Sequence, residues 1–503
     1  MSDQLPTGHL LVPVVTCVVS GRSHCWVVSY PNAGPTQAER RYPRRLSSQG
    51  RLCPIARVMV AWLADRQRAV PFPWSFDGRW SPGVNILMVL STQRYPPDRR
   101  VEREARDLIR AGHNVFLIAR RAPGQVAEET VAGVHVIRVP LPFQNRRLLC
   151  DLTYYLCQRY LILWSILRAC RQHRIDALHV HDLPYAFATT LAGRLLHLPV
   201  VFDMHEHYTV MVAMGFEAPA YRRFKPLARP PLALLRLEER FACRRARKVI
   251  VVADEHVPRV VSLGVRKEDV VVVTNTEDHD AFSGLAIDQE LCARYRDEFV
   301  ILYIGMLNPH RGLETAIDAM PTILGRIPDA RLLIVGDGPS RGVLEQRVRA
   351  ARLEAYVTFA GYQPFARLPS YITLSAAGLI PHISTPHIET TMPNKIFQYM
   401  LLGRPVVVSS VRPLVRVVRD AQCGVVFTER DPRSLADAVL QLGDPRLRQR
   451  YGENGRAAVA SRYRWSQTVQ VLLGLYRQLA SARRGRLARS RPNWARAPQQ
   501  KDA

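Results

Sequence analysis

Histidines and acids gather at two points of the sequence. His179-Val180-His181-Asp182 closes one short apolar run, and Asp203-Met204-His205-Glu206-His207 closes the next. Imidazoles and carboxylates at adjacent strand ends can form either a metal site or an acid–base constellation. The metal reading is the weaker one, because His-x-His at a strand end is common without a metal and no Cys joins in. A second group is basic. Gly305-Met306-Leu307-Asn308-Pro309-His310-Arg311-Gly312 follows the run Val300–Ile304, and Pro393-Asn394-Lys395 opens a later helix. Arg311, Lys395 and two helix N-termini together could neutralise a diphosphate without a metal. A solvated surface Arg remains the plainer fate for Arg311, but lysine is scarce here: five of the 70 basic residues. Gly336-Asp337-Gly338-Pro339 follows Leu332–Val335. It serves either as a close approach for a ligand or as an ordinary strand-to-helix turn. Asp98-Arg99-Arg100 follows the first strand and offers acceptor or phosphate contacts, although Asp98 is equally well placed as a helix N-cap.

Strand–helix alternation must position these residues, and it begins abruptly at Val84. Strands are expected at Asn85–Leu90, Val115–Ala119, Val134–Val139, Ala177–Val180, Val200–Asp203, Val249–Val252 and Val270–Thr274. Helices fill most of the gaps, the first over Arg99–Gly112. A polar break at Glu277–Glu298 precedes a second alternation. Its strands are Val300–Ile304, Leu332–Val335, Val357–Phe359, Gly378–Ile383, Val406–Ser409 and Val425–Phe427. Apolar runs of this length with crossover helices are buried parallel strands. The expectation is α/β throughout: two Rossmann-like, doubly wound domains, 84–280 and 281–480, facing each other across a cleft. The last helices are expected to cross back. In such sheets ligands sit at the carboxyl ends of the strands, where the residues above fall.

Residues 1–83 show no sustained period and read as a poorly ordered extension; residues 481–503, rich in Arg, Pro and Gln, read as a disordered basic tail. Each carries +6 of the formal +27, leaving +15 on the 397 residues between. The charge favours anionic partners such as a nucleotide or a lipid headgroup. Nucleic-acid binding would rest on net charge alone, since no RNP, zinc-finger or helix-turn-helix pattern occurs. A dehydrogenase is disfavoured by the lack of GxGxxG after either first strand. The nine cysteines contain no CxxC, so no disulfide framework or zinc site is suggested. No apolar run reaches the ~20 residues of a membrane span, and Leu10–Val19 lacks the basic lead of a secretory signal. Leu149–Cys170 reads as a core-facing crossover helix rather than a membrane-docking one.

The motifs taken together resemble glycosyltransferase family 4. The resemblance rests on DRRVEREA…AGH (98–113), HVHDLP, DMHE, GxLxxxRGLE, VGDGP, MPNKIFQYMLLGRPVVVSS and DPRSLADAV, in that order from Val84 to about Arg483. It implies a GT-B fold and a retaining, metal-independent hexosyltransferase that moves a sugar from a nucleotide-sugar donor to a saccharide or lipid-linked acceptor. Cell-surface polysaccharide or glycolipid synthesis would be the setting. No cofactor is implied. The site would be cytoplasmic, at the inner face of the membrane, with peripheral contact to anionic lipid.

By position, His181 matches the active-site His, and Arg311 and Lys395 face the diphosphate. Gly305, Gly336, Asp337, Gly338, Phe359, Asn394 and Gln398 would line the donor; Asp98, Arg100, Asp182, His205 and Glu206 lie on the acceptor side. Three departures stand out. Met306 replaces a frequent second Arg, Thr390 and Gln398 fall where the family often has paired glutamates, and Ser91-Thr92-Gln93 replaces a glycine pair. The alternatives are a nucleotide-sugar epimerase on the same fold and a catalytically degenerate nucleotide-sugar-binding protein. The donor base and sugar, the acceptor, the linkage and the oligomeric state are not written in these motifs.

Overall fold

The structure is a computed structural model. It describes residues 15–19, 22–26, 83–90, 95–141, 158–217 and 229–489. Within residues 1–79, β1 (Val15–Val19) and β2 (Arg22–Trp26) pair as an antiparallel hairpin, Val15 opposite Trp26. The rest of the expected extension lies outside the described residues, as does the tail beyond Arg489.

The unit from Trp80 onward carries two sheets. The first runs β10-β9-β8-β7-β3-β4-β6-β5. Its strands are β3 (Asn85–Leu90), β4 (Asn114–Arg120), β5 (Glu128–Val131), β6 (Val134–Val139), β7 (Ala177–His181), β8 (Val200–Met204), β9 (Lys248–Val251) and β10 (Val270–Val272). All neighbours are parallel except the edge pair β5–β6. The second sheet is wholly parallel in the order β13-β12-β11-β14-β15-β16. It comprises β11 (Phe299–Ile304), β12 (Ala330–Val335), β13 (Val357–Gly361), β14 (Ala377–Ile380), β15 (Val406–Ser409) and β16 (Gly424–Phe427).

Each order reverses once, between β3 and β7 and between β11 and β14. Diverging crossovers leave a crevice at such a switch point. β7, β8 and β11 are buried at every position, which is why they read as unbroken apolar runs rather than alternating ones. Glu128–Val131 gives no such signal. An edge strand of sequence EETV faces solvent and needs no apolar face.

Apolar clusters sandwich both sheets. One of them closes the chain on itself: Trp465, Val469, Leu472, Tyr476 and Ala480 form a helical stripe on the last helix, Trp465–Arg489. They pack with Ile86, Met88, Val101 and Ala105 of the first domain. Each such large side chain contributes about 1.5–3 kcal/mol on burial. That helix runs past the boundary expected at Ser481 to Arg489. Ala, Leu and Arg are strong helix formers, and a packed helix extends readily through them.

Candidate active site

The first cluster is built by β7, β8 and the helix Arg99–Arg110. Parallel register sets His181 beside Asp203, and His179 stacks on His181 with ring centroids 4.4 Å apart. Asp98 caps the helix by accepting from the Val101 amide at 3.1 Å, and Glu102 returns a bond to the Asp98 amide at 2.8 Å, a capping box. The capping alternative for Asp98 is therefore the one realised. One turn in, Arg100 is buried. It donates to both Asp203 oxygens at 3.0 and 3.1 Å, to Glu104 at 2.9 Å and to Asn275 at 2.8 Å. The placement of Arg100 on the acceptor side needs correcting, since four bonds leave the guanidinium little to offer a substrate.

His205 Nε2 lies 3.0 Å from Asp203 Oδ2 and 3.3 Å from His181 Nδ1. Its backbone N–H donates to Asp182 Oδ1 at 3.1 Å. Burial and Arg100 disfavour the His205 cation, but the Asp203 and Asp182 carboxylates outweigh them and raise its pKa to about 9. Burial, then His179, pushes His181 down to about 3, so it stays neutral. Burial would raise Asp203, yet Arg100 and His205 hold it well below the usual carboxylate range. The nearer partner of His205 Nε2 is Asp203 Oδ2, and His181 Nδ1 lies 3.5 Å from the same oxygen, which leaves His181 Nε2 a buried atom with no partner among the described residues. Asp182 sits at φ +61° and ψ 169°, a backbone costing about 1–3 kcal/mol that persists only where its surroundings enforce it. Burial holds the His387 pKa down, and the Glu206 carboxylate partly offsets it.

Glu104, His179, His181 and Asp203 bring four donor atoms within 4.8 Å of one another. Arg100 already occupies both Asp203 oxygens and one of Glu104. A cation there would meet a guanidinium.

The second cluster is basic and lies at the ends of β11 and β14. Arg311 closes a short 3-10 turn, Pro309–Arg311, and its Nη1 donates to His382 Nε2 at 3.0 Å. His382 must therefore accept; burial, Arg311 and Lys395 all push its pKa far down. Lys395 Nζ lies 4.1 Å from the centre of the Tyr303 ring. Burial and then Arg311 hold Lys395 well below its ordinary value. A Cβ at Gly305 (φ +139°) would come within 2.8 Å of that ammonium, so glycine leaves room for it. Neither Arg311 nor Lys395 pairs with a carboxylate among the described residues. The lowered Lys395 pKa is the cost of a buried cation without a counter-charge, a cost that a bound anion would offset.

Gly336 and Gly338 are also required by the backbone around them. A Cβ at Gly336 would lie 1.9 Å from the Gly305 carbonyl oxygen, and one at Gly338 2.5 Å from that of Leu307. Leu307 N–H donates to the Asp337 carbonyl at 3.0 Å, so the two strand-end loops interlock backbone to backbone. The Asp337 side chain turns onto the Gly338 amide at 2.7 Å. Phe359 is half-buried on β13 and packs against the apolar cluster of that sheet.

Asn394 starts the helix Lys395–Leu401 with its carbonyl and makes no side-chain cap. Gln398 is corrected outright: its Nε2 donates to Glu277 Oε2 at 2.7 Å in a buried bond, and Glu277 Oε1 accepts from Arg103 at 3.4 Å. It ties the two domains together and is not open to a ribose. Thr390 bonds the Pro386 and His387 carbonyls, and Met306 is 59% exposed. Sequence reasoning missed Tyr303, His382 and Glu277. The first two lie inside or just after apolar strands, and the third in a break read as a linker.

Two facing α/β sheets with a buried proton network on one and an unpaired basic cradle on the other are the framework of a GT-B enzyme. Comparison with known proteins gives the same class. A family model described as "Glycosyl transferase 4-like domain" matches residues 97–276, and one described as "Glycosyl transferases group 1" matches 298–444. These segments fall on the first and second sheets. The α-D-kanosaminyltransferase of Streptomyces kanamyceticus is 28% identical over 332 residues, 63% of this chain and 82% of that protein. The phosphatidyl-myo-inositol mannosyltransferase of Mycobacterium tuberculosis H37Rv is 26% identical over 313 residues, 61% and 75% of the two chains. Among solved structures, sucrose-phosphate synthase from Thermosynechococcus elongatus superposes with a TM-score of 0.64 at 20% identity, covering 79% of this chain and all of the other. Anabaena HepE, solved with UDP-glucose, gives 0.59 at 17%, covering 78% and 99%. The chain belongs to glycosyltransferase family 4 and has the GT-B fold. Among the described residues no helix is long and apolar enough to cross a membrane.

Proposed function

We infer that this glycosyltransferase is a retaining, metal-independent hexosyltransferase whose diphosphate site is the Arg311–Lys395 cradle. The observation that carries the reading is the pair of cations without carboxylate partners at the carboxyl ends of adjacent strands, with Gly305 leaving space at the ammonium. As the glycosidic bond breaks, negative charge grows on the leaving diphosphate. Two preorganised cations stabilise that charge more than they stabilise the bound donor. His181 Nε2, without a partner among the described residues, is the atom of the first cluster that would meet a hydroxyl of the donor sugar at the acceptor side. The acceptor oxygen then enters on the face the leaving group vacates.

HepE is solved with UDP-glucose, which makes UDP-hexoses the first donors to assay. The names of the kanosaminyl- and mannosyltransferase relatives support a glycoside or lipid-linked acceptor, and with it a place in polysaccharide or glycolipid synthesis. A cytoplasmic enzyme in peripheral contact with anionic lipid through the basic residues 481–503 completes the reading. Sugar transfer by the full chain in EDTA, with the product anomer read by NMR, tests it. Transfer that required added metal, or an inverted product, would overturn it.

A further inference from the structure

Away from the cleft, three residues of unlike origin meet at the edge of the first sheet. Glu128 lies on β5, His135 on β6, and His173 in the last turn of the helix Arg159–His173. The antiparallel register puts Thr130 opposite His135, so Glu128, two residues earlier on the same face, is its diagonal neighbour. Phe116 pairs with His135 across β4–β6 and stacks on His173 at 4.7 Å, which turns both imidazoles toward the same spot. Their ring centroids are 5.1 Å apart.

We propose that Glu128, His135 and His173 form a zinc-class divalent cation site. His135 Nε2 lies 3.5 Å from Glu128 Oε2, and one donor atom from each of the three residues lies within 4.8 Å of the other two. Three such atoms fit inside a circle of radius about 2.8 Å, against metal–ligand distances of ~2.0–2.2 Å, so inward movement of less than about 1 Å completes a coordination sphere. The Nε2 atoms of both histidines are buried; His135 Nε2 faces Glu128 Oε2, and His173 Nε2 has no hydrogen-bond partner among the described residues. Two imidazoles and one carboxylate suit zinc over calcium or magnesium, with a fourth position for water. The Glu128 and His135 side chains are 30% and 28% exposed, so an ion can enter. Arg168 adds positive charge near Glu128 and opposes binding, setting affinity below that of a four-ligand site.

Bound metal would clamp the β5–β6 edge to the helix Arg159–His173. The full chain, stripped with EDTA, is titrated with Zn²⁺ alone by calorimetry, and Co²⁺ is used as an optical probe. One equivalent should bind in the micromolar range or tighter. His173→Gln and, separately, Glu128→Gln should weaken it by ~10²-fold or more while leaving the Tm in EDTA unchanged. His181→Gln, in the other imidazole cluster, should leave the zinc stoichiometry as it is. Zinc binding unaffected by both edge substitutions would place the ion elsewhere and overturn the proposal. So would the lack of any binding below about 100 µM zinc.

Discussion

The two clusters at the facing strand ends are built from similar residues and differ in their bookkeeping of charge. At β7 and β8, Arg100, Asp203, His205 and Asp182 neutralise one another within bonds of 3.0 to 3.7 Å. At β11 and β14, Arg311 meets a neutral imidazole and Lys395 an aromatic face, with no carboxylate for either among the described residues. A satisfied network fixes geometry and protonation; an unsatisfied one stores binding energy for an anion. The same kind of substitution should therefore have opposite consequences in the two domains.

The largest effect is expected at the satisfied cluster. Arg100→Ala leaves the Asp203 and Glu104 carboxylates buried without their cation and should cost about 3–5 kcal/mol of stability in urea unfolding. A loss below about 1 kcal/mol would break the contrast. Lys395→Ala should do the reverse: kcat/KM falls by ~10²–10³ while the Tm holds or rises, because an uncompensated partly buried charge is gone. A parallel fall in Tm would make Lys395 a structural residue.

Protonation sharpens the same contrast. The pKa of His205 is raised to about 9 in the folded protein. Its stabilisation is complete below the unfolded value of about 6.5 and is lost as pH rises through about 9, a change of roughly 3 kcal/mol. His181, held down to about 3, acts oppositely and withdraws stability as pH falls below about 6.5. Urea unfolding between pH 6 and pH 10 should show the alkaline loss in the wild type and not in His205→Gln. The smallest effect concerns Gln398→Ala, which leaves Glu277 Oε2 without its donor and should cost about 1–3 kcal/mol. Nucleotide affinity should be unchanged; a drop in affinity at constant stability would return Gln398 to the donor site.

Local pattern carried the strands, because a buried parallel strand is an apolar run and residues just past it face the ligand crevice. The strand-end positions of His181, Gly305 and Arg311 were legible for that reason, and Lys395 stood out by the scarcity of lysine and its place at a helix start. What the sequence hid is pairing over long separations. Arg100 is 103 residues from Asp203, and Gln398 is 121 from Glu277. Each carries a side chain suited to a ligand, and only the fold shows that a protein partner has taken it. Gly336 and Gly338 teach the same lesson in the backbone, where the close neighbour of each is the loop after β11. The edge strand β5 was hidden by its polarity, and with it the Glu128–His135–His173 cluster.

On the proposed reading, the cradle's missing counter-charge is a diphosphate. Thermal shift of the full chain in EDTA, comparing uridine, UMP and UDP with the wild type, Arg311→Ala and Lys395→Ala, tests it most directly. Diphosphate at 100 times its dissociation constant should stabilise the wild type by ~2.7 kcal/mol, well beyond UMP or uridine, and that advantage should vanish in both variants. Equal shifts for uridine and UDP, or a UDP shift that survives both substitutions, would contradict it.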